Sequence, residues 1–160
     1  MKIFNYLNWK VFTDGKQQTQ IDNNGKWMYF FKIGIDDEFV DKICERVIKE
    51  NIVKNCKRTL YDSNPNQRGV VCFFLPYDIN GSLEHHKKLL KFMIENNLIP
   101  KTKTKKLYDI SFKLDSQTNA KQYTTTKIYG NNLVTQENVQ KFEPVLKLSN
   151  FVKLETGEFF

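Results

Sequence analysis

Hydrophobic residues along this chain change their spacing several times, from alternation to helical recurrence and back, and that switching limits the folds open to it. After Asp36, the residues Phe39, Val40, Ile43, Cys44, Val47 and Ile48 recur at i, i+1, i+4, i+5, i+8 and i+9, which is one apolar face of a helix. Asp36 is the expected cap, and Asp37 and Glu38 suit the positive end of the helix dipole. A second stripe, His86, Leu89, Leu90, Met93, Ile94 and Leu98, follows the Asn80-Gly81 turn, with Ser82 as its cap and Pro100 as its stop. Helices are thus predicted over 36–50 and 82–97.

Elsewhere the spacing is strand-like. Strands are expected over 2–13, 27–33, 52–61, 70–77, about 107–114, 121–129 and 145–154, with a short helix from Thr135 built on Val139 and Phe142. Turn signals at Asp14-Gly15, Asn23-Asn24-Gly25 and 62–66 separate them. Lys101 to Lys106 is expected to be a mobile connection. The order ββαββαββαβ pairs strands between single helices. That predicts one α+β domain over 1–160, a single curved, mainly antiparallel sheet with helices on one face, and argues against a doubly wound parallel sheet. In the strand at 27–33, residues 27, 29 and 31 share one side, and one side must be core.

The 160 residues carry a net charge of +7, and of 25 basic residues only Arg46, Arg58 and Arg68 are arginines. Ten lysines lie between Lys87 and Lys127 against Glu95, Asp109 and Asp115, so this third holds all of the excess. One-sided charge attracts polyanions, although a Lys- and Asn-rich composition also follows from AT-rich codons. The three cysteines, Cys44, Cys56 and Cys72, are odd in number and lie in apolar patterns. They are expected to be buried free thiols in a reducing compartment, hence a cytoplasmic protein without a zinc site. No apolar run is long enough to cross a membrane, no secretory signal is expected, and no cofactor motif is present.

Two groups of residues invite a ligand. Lys113, Asp115, Thr118, Lys121 and Tyr123 cluster around a predicted hairpin turn, where lysines supply charge, Thr118 a donor and Tyr123 a stacking face for a phosphorylated ligand. Lys57, Arg58 and Arg68 flank the turn at 62–66, and a guanidinium grips phosphate bidentately. Ordinary turn chemistry and surface ion pairs account for both groups equally simply. On the second helix, His86 falls on the apolar stripe and is expected to be partly buried, while His85 is expected in solvent.

Several segments resemble a known family. They are Gly25-Lys26-Trp27-Met28, Lys57-Arg58-Thr59, Val70-Val71-Cys72-Phe73, and Phe112 to Thr118 continuing to Tyr123. Over about residues 25–125 they look like the basophilic-leukaemia-expressed protein family, some microbial members of which are labelled a phosphothreonine lyase domain. The element order resembles the fold of the cap-binding translation initiation factor 4E. That factor holds its base between two loop tryptophans. Here Trp9 and Trp27 both sit in strand-like runs, so the likeness implies the fold and a ligand face, not cap binding. A lyase would need Lys57 or Lys113 as base, His86 as acid, and Arg58 and Arg68 as phosphate clamps.

Three functions remain open. The leading one is a non-catalytic module binding a nucleotide or RNA through a basic, aromatic-lined face. The others are a phage or mobile-element inhibitor that touches a nucleic-acid-processing host complex, and a lyase-like enzyme.

Overall fold

The computed structural model describes residues 1–16, 24–61, 67–115 and 146–160. Seven strands form one antiparallel sheet with two helices, an α+β fold as expected. The strands are β1 (Lys2–Tyr6), β2 (Trp9–Thr13), β3 (Asn24–Lys32), β4 (Asn55–Thr59), β5 (Arg68–Pro76), β6 (Ser111–Leu114) and β7 (Leu146–Lys147). They lie in the order β1-β2-β4-β5-β3-β6-β7. The helices are α1 (Asp37–Lys49) and α2 (Glu84–Glu95). Both lie over the same sheet face, where Arg46 of α1 donates to the Asn96 side chain just past α2 at 2.8 Å.

The predicted first strand is a hairpin. Leu7 and Asn8 turn the chain between β1 and β2, with Tyr6 opposite Trp9. Leu7 takes a left-handed φ of 53°, a conformation usually marked by Gly or Asn. The predicted last strand is confined to Leu146–Lys147 and then coils into a short 3-10 turn. Asp109 holds that turn by accepting from the N–H and hydroxyl of Ser149. The connection at 101–106 is a hydrogen-bonded turn, in which Thr102 N–H donates to Lys106 C=O at 2.8 Å. The strand expected at 121–129 and the short helix after Thr135 lie outside the described residues.

Each helix ends on an asparagine. Asn51 and Asn97 have φ of 57° and 56°. Past them, Ile52 N–H reaches Val47 C=O and Leu98 N–H reaches Met93 C=O, so the last helical carbonyls are satisfied as in a Schellman motif. This stops α2 at Glu95, well before Pro100. Asp36 does not cap α1 with its side chain; its carboxylate accepts from Lys32 N–H at 3.0 Å and ties the helix entry to the end of β3. The Ser82 hydroxyl accepts from Glu84 N–H at 3.3 Å and fulfils part of its expected role.

The core fills the space between sheet and helices. Trp27, Phe31, Val71, Phe73 and Phe112 from the sheet meet Val40, Val47, Leu89 and Met93 from the helices. Phe39, on the predicted stripe of α1, stays exposed. Gly69 exists for this packing, since a Cβ there would lie 2.6 Å from the ring of Phe31. The three cysteines are free and buried. No described helix is long and apolar enough to cross a membrane.

Candidate ligand-binding face

Residues opposite each other in adjacent strands share a face, so the register sorts every side chain of the sheet. One row toward the side opposite α1 and α2, helix-free among the described residues, runs Lys2, Thr13, Asn55, Phe74, Lys26, Lys113. The next runs Phe4, Val11, Lys57, Cys72, Met28. A third starts at Tyr6 and Trp9 opposite Thr59, whose hydroxyl bonds Val70 beside Phe30. Arg68 and Lys32 stand opposite each other beyond it.

Lys57 is the centre of this face. Its ammonium lies 3.8 Å from the ring centroid of Trp9 and 5.7 Å from that of Phe74. Burial lowers its pKa; the nearby Lys26 adds to the lowering, and Cys72 and Asp115 oppose it. Cys72 lies beside it, buried on the same face, and burial raises its pKa. At the far end Arg68 stacks 4.3 Å over the ring of Phe30. Lys2, Lys26, Lys32, Lys57 and Arg68 form no ion pair among the described residues.

The predicted residues divide between faces. Lys57, Arg68 and Lys113 project to the helix-free side, with Asp115 just past β6. Arg58 points the other way, against α1. It is buried and donates through Nε and Nη2 to Asp41, which also accepts from Lys10 at 2.9 Å. Burial raises the Asp41 pKa, but the bonds and charges of Arg58 and Lys10 outweigh it and hold the carboxyl low. Adjacent strand residues face opposite ways, so Lys57 and Arg58 cannot grip one ligand. Thr118, Lys121 and Tyr123 lie outside the described residues.

His86 is also on the helix side. It has no exposed surface and sits among Trp27, Phe112 and Phe151. Trp27 Nε1–H donates to its Nδ1 at 3.0 Å, and its Nε2 bonds the Tyr77 carbonyl at 2.6 Å. His85, expected in solvent, is half-buried with Nε2 2.8 Å from the Pro76 carbonyl. The base, acid and clamps of a lyase therefore fall on opposite sides of the sheet. Of the described Lys-rich third, the strand register puts Lys113 on the helix-free face. Lys87 and Lys91 pair with Glu84 and Glu95 on α2, and Lys106 with Glu155.

Beside Arg68 a groove of about 890 Å³ follows the edge of β3. It exists because β6 is in register with β3 only at Gly25 and Lys26 and then pairs with β7. Phe30, Lys32 and Arg68 form one wall, Leu98, Pro100 and Tyr108 the other. Asp36, Asn97 and Asp109 add hydrogen-bonding groups. Tyr29 also lines the groove, and burial, then the charge of Asp36, raises its pKa.

Comparison with protein-family profiles, curated proteins and solved structures gives no match. Sequence reasoning missed Lys26, Trp9 and Phe74 as neighbours of Lys57. Strand alternation alone groups residues within one strand, and the pairing order that joins β2, β4, β5 and β3 has no local signal.

Proposed function

We propose that the chain binds a phosphate-bearing ligand, a nucleotide or single-stranded RNA, on the helix-free face of its sheet. The observation that supports this is the segregation of charge. Under the helices, Asp41 pairs with both Lys10 and Arg58, and Asp37 lies 4.0 Å from Arg58. On the opposite face, Lys2, Lys26, Lys32, Lys57 and Arg68 form no ion pair among the described residues, Asp115 being a carboxylate whose charge reaches Lys57, and the rings of Trp9, Phe74 and Phe30 lie against Lys57 and Arg68. A cationic track set with aromatic faces suits a sugar-phosphate backbone and sequence-tolerant base stacking. The groove beside Arg68 has the size and mixed lining of a nucleotide pocket, with Arg68 at its mouth for a phosphate.

Fluorescence anisotropy with a labelled short oligouridylate tests this. Binding should weaken with salt, at a log–log slope of about −0.7 per phosphate contacted. Trp9→Ala should cost roughly 1–2 kcal/mol, a loss of about five- to thirtyfold. Lys57→Gln and Arg68→Gln should lower both affinity and salt slope, and Lys49→Gln on the outer surface of α1 should change neither. Salt-independent binding, or a Trp9→Ala variant equal to the parent, refutes the reading.

A further inference from the structure

β1 is an edge strand of the sheet formed by the described residues, and all five of its residues are exposed. Met1, Ile3, Phe4, Tyr6 and Leu7 are five of the twelve large apolar side chains exposed among the described residues. Soluble proteins blunt such an edge with charge, proline or a bulge. β1 has one lysine at its start, no proline, and an unbroken register with β2.

Asn8 C=O accepts from Leu60 N–H at 2.7 Å and Asp14 N–H donates to Lys54 C=O at 3.0 Å. The even-numbered residues of β2 therefore bond toward β4, and Trp9, Val11 and Thr13 toward β1. Their partners Tyr6, Phe4 and Lys2 are satisfied within the hairpin. This leaves the N–H and C=O groups of Ile3 and Asn5 pointing outward.

We propose that β1 pairs antiparallel with β1 of a second copy of this chain, about a two-fold axis at Phe4. Ile3 then exchanges both backbone bonds with Asn5 of the second copy, and Asn5 with its Ile3. All four outward groups of the strand on each chain are used. An axis at Asn5 sets Ile3 opposite Leu7 in the left-handed turn, and an axis at Ile3 sets Asn5 opposite Met1, outside the strand. Phe4 meets its own copy at a close, non-hydrogen-bonded position, where aromatic pairs are favourable. Lys2 faces Tyr6 of the second copy, giving two cation–π contacts. The strand is thus complementary to itself in its backbone groups, which is what an isologous interface requires. Five residues a side make a small interface, so the dimer forms in the micromolar range, roughly.

Analytical ultracentrifugation over a concentration series tests the pairing. The parent chain should shift from 19.0 kDa toward twice that mass. Asn5→Pro removes one outward N–H without touching the β1–β2 ladder; it should stay monomeric with its melting temperature unchanged. The three native thiols are buried, so Phe4→Cys should cross-link into a disulfide dimer on mild oxidation, whereas Asn5→Cys should not. A parent chain still monomeric at about 100 μM overturns the proposal. So does a dimer that Asn5→Pro leaves intact and Phe4→Cys fails to trap, since it would use another surface.

Discussion

His86 makes the stability of this fold sensitive to acid. An indole N–H can only donate, so Nδ1 of His86 is the acceptor and the proton resides on Nε2, donated to the Tyr77 carbonyl. A second proton would have to enter at Nδ1, against the Trp27 N–H. Burial lowers the pKa to about 4, the Tyr77 carbonyl opposing it and the charge of His85 adding to it. The unfolded chain takes up this proton near pH 6.5, roughly. Between those values the unfolded state binds more protons than the native state, so stability is full above about pH 6.5 and is lost as pH falls toward 4. The loss attributable to this one group is about 2 kcal/mol by pH 5 and approaches about 3 kcal/mol below the native pKa. Urea unfolding, followed by far-ultraviolet circular dichroism at several pH values, measures it. His86→Gln keeps an amide able to accept from Trp27 and donate to Tyr77 but cannot titrate. The parent should therefore lose about 2 kcal/mol more than His86→Gln on going from neutral pH to about pH 5. Parallel pH profiles for the two proteins would refute the reasoning.

Two further outcomes follow from the packing. Arg58→Ala should lower unfolding free energy by roughly 1–2 kcal/mol, because it removes a buried side chain and strips the half-buried Asp41 carboxylate of its bidentate partner while Lys10 remains; a variant as stable as the parent by denaturant titration would place Arg58 outside the structural framework. Gly69→Ala should cost about 1–3 kcal/mol by the same measurement, since its Cβ falls 2.6 Å from the buried Phe31 ring, and an unchanged midpoint would mean that the ring can move aside freely.

The helices and the layer arrangement are legible in the residues because periodicity reports directly on burial. Val40, Ile43, Cys44, Val47 and Ile48 are buried as their spacing requires. Boundaries are less legible, since they depend on backbone choices that several residue types can make. Asn97 stops α2 where Pro100 looks like the stronger signal, and Leu7 turns a hairpin that no Asn-Gly announces. Asp36 has a cap's chemistry, yet the Lys32 N–H left unpaired at the end of β3 offers its carboxylate a closer partner. The Trp27–His86 bond joins residues 59 apart, and nothing local marks either as the other's partner.

The candidate face shows the same limit in its sharpest form. Lys57 and Arg58 are adjacent cations, and in the sequence they form one basic pair. A strand separates them by construction, and what decides their roles is remote: Asp41 of α1 claims Arg58, which leaves Lys57 on the side with Trp9. The cations of this face are therefore not those of the Lys-rich third, where Lys87 and Lys91 pair within α2 and Lys88 donates to the Asn51 carbonyl, but single cations from separate strands that the pairing order assembles. β1 pairing has a consequence for this surface. Because opposed residues share a face, the two-fold axis at Phe4 puts both helix-free faces on the same side of one continuous sheet. Phe4, Tyr6 and Lys2 then lie in the middle of a doubled cationic surface instead of at its margin. A longer oligouridylate should bind the dimer more tightly than a short one by more than its added phosphates explain, and Asn5→Pro should abolish that excess while leaving the affinity for the short strand unchanged. Equal length dependence in the two proteins would separate dimerisation from ligand binding.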